Sequence, residues 1–162
     1  GAAHLLGMLA QNLADLFALA DERYAVQVVK HDHQQTTGTK MAGVEQTRYA
    51  RKNWSSVVLW NCEHLANRDL DLGLVNRAPG RDLHRFCWLR DEEIGALPET
   101  WNYLVGITNP DPESLPADPA LVHFTLGTPD MPGYEHVEFA DEWHRTARVC
   151  GYRLPRMLQA IA

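Results

Sequence analysis

No apolar run in this 162-residue chain approaches the roughly 20 residues that a membrane-spanning helix needs, so no span is expected. Cysteine is scarce. Cys62, Cys87 and Cys150 are widely spaced and odd in number, which argues against a disulfide framework and against a Cys-x-x-Cys metal site. Their expected state is that of buried thiols, packed as small hydrophobes. Positive charge is also short: 15 Lys and Arg against 21 Asp and Glu give a net charge of -6, which disfavours general binding to a nucleic-acid backbone. The opening Gly-Ala-Ala-His-Leu-Leu-Gly-Met lacks the basic flank of a secretory signal, so a cytoplasmic setting is the default expectation.

What is present is ordinary for one globular domain over 1–162: 45% apolar and 22% charged residues on a chain long enough to bury a core. Leu5, Leu9, Leu13, Leu16, Phe17 and Ala20 recur at spacings of three and four and predict an amphipathic helix over the first twenty residues, with 1–11 as a helical extension. β-branched and aromatic runs predict strands at 24–30, 55–61 and 120–126. Between the first two lies a long polar stretch, 31–53, of the length that binding loops and lids have. Asp82 is placed to cap a short helix carrying Leu83, Phe86, Cys87 and Leu89. Phe139, Trp143 and Val149 mark a last helix running from Glu138 to about Cys150, stopped by Gly151. Strands separated by helices and long excursions indicate an α/β class, a small mixed sheet flanked by helices.

Residues 48–62 set a cationic, hydrogen-bonding loop against a short apolar strand, the way an open sheet presents polar groups to a ligand. Lys40, Arg48, Arg51 and Lys52 form a basic patch suited to a small anion. His31-Asp32-His33 follows a strand, and the two histidines share a face of an extended chain. His123 lies inside an apolar strand two residues before Thr125 and four before Gly127, where a neutral imidazole is able to ligate a divalent ion. A zinc hydrolase built on His31, His33 and His123 is one reading of these residues. Trp60 and Trp143 read as core anchors, while Trp101 divides evenly between core and sugar platform.

The order of segments resembles the carboxyl-terminal half of glycosyltransferases with the nucleotide-binding α/β fold, especially the retaining family that includes glycogenin and bacterial lipooligosaccharide galactosyltransferases. Asn-Trp-Ser-Ser-Val-Val-Leu-Trp-Asn at 53–61 is similar to that family's Asn-Ala-Gly-Val-Leu-Leu-Ile-Asn strand. Leu97-Pro98-Glu99-Thr100-Trp101-Asn102 matches its Leu-Pro-x-x-Trp-Asn element, and 123–132 resembles its His-Tyr-x-Gly-x-x-Lys-Pro-Trp element. Val-Val-Lys-His-Asp-His and Arg-Lys-Asn-Trp-Ser-Ser are phrases shared with an uncharacterised bacterial branch.

The resemblance implies transfer of a sugar from a nucleoside diphosphate to an acceptor hydroxyl, with manganese or magnesium as cofactor and His123 as one metal ligand. It implies that Lys40, Arg51, Lys52, Asn53, Ser55, Ser56, Asp82, Trp101 and Asn102 line the donor and acceptor sites. Two departures stand out. The family's preceding half, which ends in an Asp-x-Asp metal motif, is absent here, and Asp69-Leu70-Asp71 falls after the central strand instead. The family's phosphate-binding Lys is also missing, with Asp130 near its place. The expectation is therefore an acceptor-side domain, incomplete and inactive alone, forming a homodimer. A non-catalytic carbohydrate- or protein-binding module on the same fold is the alternative.

Overall fold

The computed structural model describes residues 7–32, 39–40, 44–45, 50–109 and 118–152. Along the chain these give strand β1 (Gly7–Leu9), helix α1 (Leu13–Phe17), β2 (Val26–Val28), β3 (Thr39–Lys40), β4 (Val44–Glu45), β5 (Val58–Trp60), helices α2 (Leu72–Arg77) and α3 (Gly80–His84), β6 (Ile94–Ala96), β7 (Tyr103–Leu104), β8 (Leu121–His123) and helix α4 (Ala140–Val149). Short 3-10 turns at Trp54–Ser56, Leu65–Asp69, Asp91–Glu93 and Glu99–Asn102 lie between them. The class is mixed α/β. The readings made of Leu5, of His33, of residues 34–38, of Arg48, of 110–117 and of the tail at 153–162 lie outside the described residues.

One sheet has the order β5-β2-β6, with β2 antiparallel to β5 and parallel to β6. All three residues of β2 are buried, as a central strand requires. Val26 and Val28 pack with Ala25, Phe86, Leu89 and Ile94. Gln27, on the opposite face of the pleat, donates from Nε2 to the Leu19 carbonyl (2.9 Å) and accepts the Asp21 N–H (2.7 Å), tying the segment after α1 to the sheet. Gly95 sits beside Gln27 in the register. A Cβ there would lie 2.5 Å from the Tyr24 ring and 2.7 Å from Gln27 Cγ, so only glycine fits.

The second sheet has the order β1-β8-β7, with β8 antiparallel to β1 and parallel to β7. Helix α4 covers it: Trp143 and Ala147, one turn apart, are buried with Tyr103, Val105, Val122 and Phe124. Each fully buried apolar side chain of this size contributes roughly 1.5–3 kcal/mol relative to exposure. Gly151 ends α4 at φ +66°, with its N–H on the Arg148 carbonyl and the Tyr152 N–H on the Ala147 carbonyl, a Schellman motif. Leu16, Val29, Leu97, Trp101 and Ala120 form a third cluster, with Leu59 and Leu121 against it, which joins the two sheets.

Several sequence expectations change here. Among the described residues of the predicted first helix, 7–20, only Leu13–Phe17 is helical, because Asn12 caps it there and Gly7–Leu9 pairs with β8 instead. Asp82 lies within the first turn of α3 and does not cap it; the residue at the cap is Pro79. The three cysteines are exposed, not buried: Cys62 lies in the turn after β5, Cys87 in the turn after α3 and Cys150 at the C-cap of α4. Trp143 is the expected core anchor, whereas Trp60 is 43% exposed and stacks on Trp88 with ring centroids 6.1 Å apart. Among the described residues no helix is long and apolar enough to cross a membrane.

Candidate functional site

The loop that leads into β5 carries two residues in the left-handed region, Arg51 at φ +59° and Asn53 at φ +64°. Non-glycine residues adopt that conformation only where surrounding contacts enforce it. Here the contacts come from both sides. Arg51 Nη1 donates to the carbonyls of Arg85 (2.7 Å), Phe86 (3.1 Å) and Leu89 (3.3 Å), and Nη2 donates to Leu89 and to the Asp91 carboxylate. Its guanidinium also lies over the Trp54 ring at 5.9 Å, with Lys30 Nζ over that ring at 5.7 Å. Trp54 Nε1 donates to the His31 carbonyl (3.1 Å). Arg51 is therefore a clamp on the loop after α3, its guanidinium turned inward onto main-chain carbonyls. Lys52 is half-buried beside it, and Lys40 contributes its backbone to β3.

On the other side the carbonyl of Asn53 accepts from Ser56 Oγ (2.8 Å), from the Ser56 N–H (3.3 Å) and from Asn102 Nδ2 (3.1 Å). Asn102 is 0% exposed, and its Oδ1 lies 3.3 Å from Nδ1 of His123, which is half-buried on β8. Three segments far apart in sequence thus meet in one polar chain, from Asn53 through Asn102 to His123. The backbone sets this meeting up: the 3-10 turn at Glu99–Asn102 runs directly into β7, which pairs with β8 so that Leu104 stands opposite His123.

Ser55 Oγ and His84 Nδ1 share a hydrogen bond at 2.8 Å, which brings α3 to the same loop. Asp82, two residues before His84, pairs with Arg85 (3.2 Å) and lies 3.9 Å from Arg81. Trp101 is 4% exposed and packs in the cluster between the sheets as a core anchor. Asp71 accepts the Leu74 N–H (2.6 Å) as the N-cap of α2, giving the Asp69-Leu70-Asp71 letters a structural role. Among the described residues no group of three or more His, Cys, Asp or Glu side chains is arranged to hold a metal ion. His123 is the candidate ligand among the described residues, and His33, which the zinc reading also needs, lies outside them.

Beyond His123 the segment stays buried. Thr125, Thr128 and Asp130 are all buried, with Asp130 accepting from Thr128 Oγ1 and from the Tyr152 hydroxyl (2.9 Å). Burial first, then the hydrogen bond and negative charge of Asp130, pushes the Tyr152 phenol up to about 12. Tyr103 is likewise raised to about 12, by burial and then by Glu138, to which its hydroxyl donates at 3.2 Å. Asp130 is thus engaged in the interior. The residues that sequence reasoning passed over are His84 as a partner of Ser55 and Asn67, whose Nδ2 donates to the carbonyls of Ala25 (2.8 Å) and Asn61 (2.9 Å).

No family model matches the chain, and no solved structure matches it. It is similar to Protein CDI of Arabidopsis thaliana, with 44% identity over 135 residues. The aligned stretch covers 82% of this chain and 51% of the plant protein, so the chain spans about half the length of the curated relative it matches.

Proposed function

We propose that this domain is the acceptor-side part of a nucleotide-sugar-dependent glycosyltransferase, with a partial nucleotide-diphospho-sugar transferase-like fold. The observation that carries the reading is the meeting of Asn53, Asn102 and His123, which come from the three elements that resemble the retaining family's motifs. In this reading Asn53, Ser55, Ser56 and Asp82 face the sugars, and His123 is the one residue of the described chain offered to a divalent ion. The remaining metal ligands would come from a second half. The plant relative is about twice as long as the stretch it shares, which is room for such a half.

A non-catalytic carbohydrate- or protein-binding module is the second reading. One observation favours it: Arg51 is turned inward. Thermal melts separate the two. With manganese and a panel of nucleoside-diphosphate sugars at about 100 times Kd, a bound donor stabilises by about 2.7 kcal/mol, or several degrees in Tm at this size. His123→Gln should abolish the manganese-dependent part of that rise. A wild-type chain unmoved by every donor tested favours the module. We also propose a homodimer, with the outward Leu13 and Phe17 of α1 as part of its contact; a monomer by light scattering at high concentration would count against it.

A further inference from the structure

We infer that Asn102 is a positioning residue that holds the neutral His123 ring in the tautomer with its hydrogen on Nδ1, leaving the electron pair on Nε2. The polar chain takes its orientation from its fixed end, the Asn53 carbonyl. The Asn53 carbonyl accepts hydrogen bonds and has no hydrogen to give. The Asn102 side-chain atom 3.1 Å from it must therefore be the amide nitrogen, because the reverse orientation would set two acceptors against each other inside the protein. Once that end is assigned, the amide oxygen faces His123 Nδ1 at 3.3 Å, and an amide oxygen also only accepts. The ring nitrogen on that side must carry the hydrogen.

This is the opposite of the ordinary preference, since a neutral histidine side chain in water favours its hydrogen on Nε2. Three features keep the bias in place. Asn102 is fully buried, so water does not compete for its amide. The Asn53 carbonyl is fixed by two further donors from Ser56, at 2.8 and 3.3 Å. Asn102 and His123 are held in register by the β7–β8 pairing. The consequence is directional: whatever group meets His123 at Nε2 meets an electron pair, so that atom is built to face a cation or a hydrogen-bond donor. The inference holds whether or not the domain binds a nucleotide sugar, and its test does not depend on activity.

The test is a long-range proton–nitrogen correlation spectrum of histidine-labelled protein at alkaline pH, where imidazoles are neutral. His123 is assigned as the ring whose signals disappear in His123→Gln. The expected pattern is a pyrrole-type Nδ1 and a pyridine-type Nε2. A pyridine-type Nδ1 in the wild-type chain overturns the inference. Asn102→Asp keeps an acceptor towards Nδ1 and, at a cost in stability because its other oxygen then faces the Asn53 carbonyl, should keep the pattern in the folded chain, whereas Asn102→Ala should move the ring towards hydrogen on Nε2. Retention of the wild-type pattern in a folded Asn102→Ala chain would show that Asn102 does not set the tautomer. If that variant does not fold, loss of the pattern in Asn102→Asp serves as the overturning result.

Discussion

The loop at 51–56 is held from two sides, and the two sides are built on opposite plans. Towards α3, Arg51 delivers its donors to backbone carbonyls of Arg85, Phe86 and Leu89, groups that have nowhere to move. Towards β8, Asn102 links the Asn53 carbonyl to a half-buried imidazole, a group able to meet something else at its far nitrogen. The first arrangement ends in the protein's own main chain; the second ends at a side chain with chemistry of its own. A cation beside a strand end is thus no sign of a ligand site until its partners are known. A buried amide aimed at a histidine says more.

Removing the clamp should have the largest effect. Arg51→Met keeps the packing of the stem but leaves three carbonyls without their charged donor, and hydrogen bonds to charged groups contribute about 1.5–3 kcal/mol each before non-additivity. We expect urea denaturation to show a loss of about 3 kcal/mol. Asp91→Asn should cost under about 1 kcal/mol, because that carboxylate is 81% exposed and its ion pair is screened. Arg51→Lys should recover less than half of the loss, since an ammonium lacks the planar fork that reaches several carbonyls. A loss below about 1 kcal/mol in Arg51→Met would erase the contrast between the two sides.

The relay should be less important to stability. Asn102→Leu removes two neutral hydrogen bonds, but the Asn53 carbonyl keeps both Ser56 donors, so about 1–2 kcal/mol is expected. A loss as large as that of Arg51→Met would make Asn102 chiefly a structural pin.

Tyr103 on β7 and Tyr152 just after α4 test whether the region beyond His123 is as closed as its burial suggests. Both phenols are raised to about 12, by burial and then by Glu138 and Asp130 respectively. In the unfolded chain they ionise near 10, so the unfolded state loses these protons first as pH rises. The stability they contribute is intact below about pH 10 and declines between about 10 and 12. Absorbance titration at 295 nm should show Tyr103 and Tyr152 ionising late, near pH 12. Tyr152→Phe should leave one late group and cost about 1 kcal/mol at neutral pH.

How much of this was legible from the residues depended on the range of the contacts. Helix α4, its Gly151 stop and the strands at β2, β5 and β8 follow from local periodicity and β-branched runs. The segment at 7–9 read as helix because leucines four apart fit a helical face, while its partner strand lies more than a hundred residues away. Ile94-Gly95-Ala96 gave no strand signal, since its glycine is there to admit Tyr24 and Gln27. At the site, Asn53, Asn102 and His123 were named from sequence, but nothing local reveals that Arg51 turns inward or that Trp101 fills the gap between the sheets. Those directions are decided by the loop at 85–91 and by Leu16 and Ala120, which no short motif encodes.

The smallest expected effect sharpens the comparison from the surface. Ser55 and His84 make a short contact at 2.8 Å, but His84 is exposed and both groups can turn to water when the contact is lost. Ser55→Ala should therefore change stability by less than about 0.5 kcal/mol. If the acceptor-side reading is right, the same change should still weaken binding of the saccharide acceptor, because Ser55 would then be a hydroxyl offered outward and not a structural tie. Calorimetric denaturation and saccharide titration of one preparation report the two quantities separately. Unchanged stability with weakened saccharide binding would place Ser55 with His123 among the outward-facing groups; a stability loss above about 1 kcal/mol would place it with Arg51 among the clamps.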